Sequence, residues 1–266
     1  MIHAEELFEL TLGSERIDMV RDGELLNALQ PFLDEGFITE VVATLQRGKE
    51  ATVYCCRAHP CTGRELFAAK VYRPHAASAF RSRAVYKQGR ERAHRPNPRT
   101  MRAIRAKTAF GHRAARGDWI YQEYENLRLL HAAGADVPQP FAVEGLVILM
   151  DYIGNEETPA PLLLGAELPT DEAQRVFDRV MRNVELFLVE DRVHGDLSPY
   201  NILYWDEQIT VIDLPQMVDP RFNPSAFSLL QRDIENVVKF FEKHGVRASA
   251  PAITIDLWKH YMRATL

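Results

Sequence analysis

The chain has 266 residues and a formal net charge of -5, with 46% hydrophobic and 26% charged residues, which is the make-up of a folded globular protein and excludes wholesale disorder. No run of about 18 apolar residues occurs, and the start Met1-Ile2-His3-Ala4-Glu5-Glu6 is acidic, so neither a membrane-spanning helix nor a signal peptide is expected and the chain reads as cytoplasmic. The three cysteines, Cys55, Cys56 and Cys61, crowd together without zinc-ligand spacing and read as reduced thiols.

Up to about Thr39, Leu25, Leu26, Leu29 and Leu33 space a short amphipathic helix that Gly36 ends; its expected role is a brace for the β-rich stretch after it. From Val41 to Val71, three β-rich runs separated by Gly48 and by Pro60-Cys61-Thr62-Gly63 predict a three-stranded antiparallel meander. Between Arg73 and Arg116, thirteen Lys or Arg stand against one acid, Glu91, a net of about +12 that leaves about -17 for the rest. Such asymmetry points to a polyanionic partner, whether nucleic acid, a phosphorylated surface or an acidic protein, or else to a solvated face. Pro74, Gly89, Pro96, Pro98 and Gly111 interrupt this segment.

A helix is expected to resume at about Asp118 with Tyr121, Tyr124, Leu127 and Leu130 on one face, followed by strands Phe141 to Val143 and Leu146 to Met150. Beyond a polar connector, Gly154 to Pro169, Thr170 is expected to cap a helix whose Ala173, Val176, Phe177, Val180, Met181, Val184 and Leu188 keep the 3.6-residue period. A loop, a hairpin (Asn201 to Tyr204, Ile209 to Ile212), a helix through Phe227, Leu230, Ile234, Val237, Val238 and Phe241, and a last helix from Ile253 to Met262 complete the reading. The division is a helical extension over 1–39, a β-rich lobe over 40–153 carrying the basic insertion 73–116, and a helical lobe over 154–266. The fold class expected is α+β, with the order of elements of a bilobal protein kinase.

Phosphoryl transfer needs a group that orients the attacking hydroxyl, ligands for Mg2+ and a cation on the phosphates. His194-Gly195-Asp196-Leu197-Ser198-Pro199-Tyr200-Asn201 has the H-x-D-x-x-x-x-N spacing that serves the first two needs, with Asp196 toward the acceptor and Asn201 toward the metal. Asp213, at the end of the hairpin in Ile212-Asp213-Leu214, can bridge the metal to the phosphates. Any one of these residues alone reads more readily as a turn cap or a strand end; their joint order carries the signal. Lys70, on the third strand, is placed to reach the α- and β-phosphates, and Glu123 is preferred over Glu125 as its carboxylate partner because Leu127 then lies one turn on, toward the core. The phosphate-covering loop would be Gly48-Lys49-Glu50-Ala51-Thr52-Val53-Tyr54, with one glycine where G-x-G-x-x-G has three; a GxxxxGK[ST] P-loop is absent.

These residues resemble the atypical kinases of the RIO family, in particular its RIO1-like group. Gly48 to Tyr54 is similar to the family's GKEAxVY loop, His194 to Leu203 to H-x-D-L-S-x-Y-N-I-L, and Ile212-Asp213-Leu214-Pro215-Gln216 to I-D-x-x-Q. Met150-Asp151-Tyr152-Ile153-Gly154, with Pro159-Ala160-Pro161-Leu162, resembles the family's hinge. The resemblance covers about Phe37 to Gly245. It implies a reduced helical lobe without an activation segment, an expectation to which the 53 residues after Asp213 also point. It further implies ATP and Mg2+, or Mn2+ in its place, as cofactors. Gly48, Lys49, Glu50, Val53 and Lys70, with Glu123 holding the lysine, would form the nucleotide site, and the Asp151 and Ile153 backbones would hold adenine. Serine/threonine autophosphorylation or ATP hydrolysis, transient phosphorylation of Asp213 itself, and a setting in ribosome assembly with a protein or ribonucleoprotein acceptor are implied in the same way. The family's winged-helix subgroup has no counterpart in the short N-terminal stretch, and the basic insertion lengthens the region before Glu123. Two other readings stand beside this one. One is a small-molecule kinase of the aminoglycoside or choline kinase type, and the other an RNA-binding module on a kinase scaffold.

Overall fold

The computed structural model describes Gly23, residues 27–73 and residues 109–266, with side chains from Trp119 onward in the last stretch. Leu25, Leu26 and the part of the basic insertion from 74 to 108 lie outside the described residues. Two compact units are formed, one from Met1–Ala76 with Phe141–Met150, the other from Ala77–Pro140 with Asp151–Leu266. The helix that bears Glu123 and the short segment Asp151 to Ile153 thus fall in the second unit, whereas the sequence division put them in the β-rich lobe.

The first unit is a five-stranded sheet in the order β1-β2-β3-β5-β4. Its strands are β1 (Ile38–Arg47), β2 (Ala51–Ala58), β3 (Leu66–Tyr72), β4 (Pro140–Glu144) and β5 (Val147–Asp151). The expected meander is present: β1 pairs antiparallel with β2, and β2 with β3 in unbroken register from Ala51↔Tyr72 to Arg57↔Leu66. Helix α1 (Gln30–Asp34) starts with Pro31 in its first turn and ends at Gly36, whose φ of 72° only glycine adopts without strain. Period-2 alternation then sorts the strands: Tyr54, Cys56, Phe67, Ala69, Val71, Val147 and Leu149 pack with Leu29 and Phe32 into one core, which makes α1 the brace expected. Burying Phe32 and Leu29 completely contributes about 1.5–3 kcal/mol each. The opposite face of β2 and β3 carries Val53 and Lys70, which stand directly across from each other.

The second unit comprises α2 (Ala109–Ala132), α3 (Thr170–Val189), the hairpin β6 (Ile202–Trp205) and β7 (Gln208–Val211), α4 (Ala226–Glu242) and α5 (Ala250–Arg263). Helix α2 begins at Ala109, not near Asp118, and passes through Gly111 and Gly117. A mid-helix glycine costs about 1 kcal/mol against alanine, and no proline, which would cost about 3, lies in the span. Its buried face holds Ile120, Glu123, Leu127 and Leu130, while Tyr121, expected on that face, is 46% exposed. In α3 the residues Ala173, Val176, Phe177, Val180, Val184 and Leu188 are buried as their spacing predicts. Thr170 does not cap this helix. Pro169 occupies the cap with extended backbone, Thr170 is already helical, and its side chain lies against Gly245.

The loop before β4 is tied to α3 by Asp136, whose carboxylate accepts two Arg179 bonds of 2.5 and 2.6 Å and one from Asn183 Nδ2 of 2.6 Å. The same residue's carbonyl accepts from Val211 N at 2.7 Å, so the hairpin is held from the same point. Among the described residues no helix is long and apolar enough to cross a membrane.

Candidate active site

In the second unit, α3 ends and the chain enters a loop bounded by a two-way backbone bridge between Val193 and Val218, at 3.0 and 2.9 Å. Helix α4 grips this loop from one face. Asp233 accepts from Gly195 N at 2.7 Å and Leu197 N at 2.9 Å, Asn236 Nδ2 donates to Leu197 O at 3.1 Å, and Arg232 donates to Gly195 O. Residues 232, 233 and 236 fall on one helical face, so a single turn of α4 fixes the backbone on both sides of Asp196. Arg232 also stands 3.9 Å from an Asp196 oxygen. Burial pushes the Asp233 carboxyl up to about 7, against the pull of the two amide hydrogen bonds and of Arg232.

His194 joins the loop to the hairpin. Its Nδ1 accepts from Asp196 N at 3.3 Å, which assigns the hydrogen to Nε2, 3.3 Å from Ile212 O. Asn201 Nδ2 donates to Asp196 O at 2.8 Å, and Asn201 O accepts from Ile212 N at 2.9 Å. Asp196, Asn201 and Asp213 are therefore brought onto one frame, although 17 positions separate the first from the last. Asp213 sits at φ 65°, a left-handed conformation that costs a non-glycine residue about 1–2 kcal/mol. The turn after it is held by Met217 N to Leu214 O at 3.2 Å and by Trp119 Nε1 of α2 to Pro215 O at 3.2 Å. Gln216, the last residue of that motif, is buried.

Two further features of this unit position the site. Asp151 N donates to Gln139 O at 2.9 Å, and Ile153 O accepts from Ala160 N at 2.9 Å, which folds the connector back on itself. Gly154, at φ 135°, brings its backbone so close to Thr158 O that a Cβ would lie 2.5 Å away, so glycine is required there. Tyr204 N to Pro161 O at 2.9 Å then ties the connector to β6, next to Asn201. In α2, Glu123 is only 2% exposed, whereas Glu125 lies at the surface in a 2.8 Å pair with Arg128. Arg192, just before His194, donates to Asn126 of α2 at 2.8 Å; burial pulls its guanidinium below the usual arginine range.

The other residues that the sequence singles out lie in the first unit. Gly48 N donates to Ala51 O at 2.8 Å, closing a tight turn with Lys49 and Glu50 at its tip. A Cβ at Gly48 would come within 3.0 Å of Ala51 O. Lys70 Nζ stands 5.2 Å from the centre of the Tyr72 ring, with Val53 opposite on β2. Asp233, Arg232 and Asn236 grip the loop around Asp196, and Arg192 ties its start to α2, contacts that spacing within the loop does not reveal. The usable signal for the three on α4 is polar residues at helical spacing beside an apolar face.

An antiparallel β unit and a helical unit whose Asp, Asn and Asp share one loop-and-hairpin frame define the kinase-like α+β class. Within that class the chain belongs to the RIO domain family, whose model matches residues 52–253. It is 31% identical over 235 residues to the serine/threonine-protein kinase RIO1 of Caenorhabditis elegans, covering 86% of this chain and 42% of that protein. With the human serine/threonine-protein kinase RIO1 the identity is 31% over 236 residues, covering 86% of this chain and 38% of that protein. The RIO-type serine/threonine-protein kinase Rio1 of Haloferax volcanii is 29% identical over 235 residues, 88% of this chain and 74% of that protein. The chain thus spans about two fifths of the length of the first two relatives.

Proposed function

We propose that the chain is an ATP-dependent RIO-type serine/threonine kinase whose activity is autophosphorylation, ATP hydrolysis or both. The observation that carries this reading is the bond from Asn201 Nδ2 to Asp196 O, which commits the amide's donor end to the loop and leaves its oxygen end as the ligand side. An amide oxygen and the Asp213 carboxylate suit Mg2+, which takes few protein ligands and completes its shell with water and phosphate. When bound, Mg2+ or Mn2+ supplies charge neutralisation on the β- and γ-phosphates.

The protein's own contributions come from its residues. Asp196 orients the acceptor hydroxyl and takes up its proton. Lys70 neutralises the α- and β-phosphates, and the buried Glu123 is preferred over Glu125 as the functional carboxylate of α2. The turn of Gly48, Lys49, Glu50 and Val53 covers the phosphates, and the Asp151 carbonyl and Ile153 amide meet the adenine edge. The acceptor is a protein or ribonucleoprotein, with ribosome assembly as the setting that the family resemblance implies. An RNA contact through residues 73–116 rests on sequence charge alone, since positions 74–108 lie outside the described residues.

Acceptor profiling with γ-labelled ATP tests the reading. Label is expected in the chain itself and in protein acceptors, or in free phosphate. Robust transfer to an aminoglycoside or choline with none to protein would replace it with the small-molecule kinase.

A further inference from the structure

Arg73 opens the basic segment in the sequence, where its charge counts toward a polyanionic partner, yet in the fold it is committed elsewhere. Its amide donates to Glu50 O at 2.8 Å, one rung beyond the last β2–β3 pair, Ala51↔Tyr72. Its guanidinium then reaches both sides of the turn: Nε donates to Gly48 O at 3.2 Å and Nη2 to Thr52 Oγ1 at 3.2 Å. Gly48 lies on the incoming arm and Thr52, fully buried, on the outgoing arm. The planar fork therefore closes the neck of the hairpin and leaves Lys49 and Glu50 at the tip.

A phosphate-covering loop rich in glycine loses much backbone freedom when it orders on a ligand, and this chain has one glycine there in place of three. We propose that Arg73 is a positioning residue for nucleotide binding: it fixes the Gly48–Thr52 turn in its phosphate-receiving form before the ligand arrives. The proposal rests on reading that turn as the phosphate cover. Lysine cannot replace the fork, because one ammonium cannot match two donors set at a fixed angle to two separate acceptors.

The test compares Arg73→Gln, Arg73→Lys and Thr52→Val with the unmodified full chain in two measurements. Calorimetric titration with ATP, ADP and adenosine reads binding, and amide hydrogen exchange of the turn without nucleotide reads the clamp. Both Arg73 variants are expected to weaken ATP and ADP about tenfold, to leave adenosine unchanged and to speed exchange at the Gly48 and residue-73 amides. Thr52→Val, which loses one acceptor at nearly constant shape, shifts both readouts the same way by about threefold, and serves alone if the Arg73 variants do not fold. Wild-type behaviour of Arg73→Lys would overturn the proposal in favour of charge alone. Unchanged exchange in Arg73→Gln, or an equal loss for all three ligands, would also overturn it. An unmodified chain that binds neither ATP nor ADP would instead refute the nucleotide reading, while the exchange data, taken without ligand, still decide whether the clamp exists.

Discussion

Replacing Asp233 by alanine takes away the one carboxylate that receives both Gly195 N and Leu197 N. Both amides are in buried residues, and leaving each without an acceptor costs about 1–3 kcal/mol, so Asp233→Ala should lose about 4 kcal/mol of stability. The same carboxylate sets a pH dependence. Its proton is held to about pH 7 in the folded chain but only to about pH 4 when unfolded. Between those values the folded chain binds more protons, so stability falls as pH rises through the window and levels off above it. The fall is on the order of 4 kcal/mol at most, given about 1.4 kcal/mol for each tenfold difference in proton affinity. Asp233→Asn, neutral throughout, should abolish this slope while keeping one acceptor. Because the loop then holds Asp196 less firmly, its turnover should drop by about a hundredfold. Urea unfolding at pH 5 and pH 7.5, with ADP release measured in parallel, checks each point. An undiminished slope in Asp233→Asn, or full turnover in Asp233→Ala, would refute the reasoning.

The hairpin turn between β6 and β7 places Asp206 at φ 48° and Glu207 at φ 57°, the geometry for which Asn-Gly is favoured. Asp206→Asn with Glu207→Gly should therefore raise stability by about 1 kcal/mol, read as a higher urea midpoint without loss of turnover. Glu123→Gln should cut turnover at least tenfold, whereas Glu125→Gln, which breaks only a surface pair with Arg128, should change stability by about 0.5 kcal/mol or less and leave activity alone. Equal effects of the two substitutions would show that burial on α2 does not mark the functional carboxylate.

The frame shared by the proposed catalytic residues is legible in the chain because their spacing is local: Asp196, Asn201 and Asp213 lie within one loop and one hairpin. The β2–β3 register is legible too, since alternation puts Lys70 and Val53 on the same face. Asp233 is not, for it acts across 36 to 38 positions, and in sequence it only interrupts the apolar run Leu229, Leu230, Ile234, Val237 of α4. Arg73 is hidden for a related reason. A charge count assigns every cation to a partner or to solvent, while the half-buried Arg73 guanidinium is spent on two acceptors of its own chain. The start of α2 is hard to place because Gly111 and Gly117 look like breakers, although their cost is small beside that of the packing along the rest of the helix. Thr170 has the chemistry of a cap, but Pro169 before it already supplies the extended residue that the cap position needs.

Asp213, held in a left-handed turn beside Asn201, is the residue on which the proposed metal-dependent phosphoryl transfer turns. Release of ADP from ATP by the full chain, with and without added Mg2+ and with Asp213→Ala alongside, tests that role most directly. The expected result is Mg2+-dependent release that falls by more than about a hundredfold in Asp213→Ala. Urea unfolding of the same variant, run alongside, separates loss of the assigned role from loss of the fold. Undiminished release from Asp213→Ala would contradict the assignment.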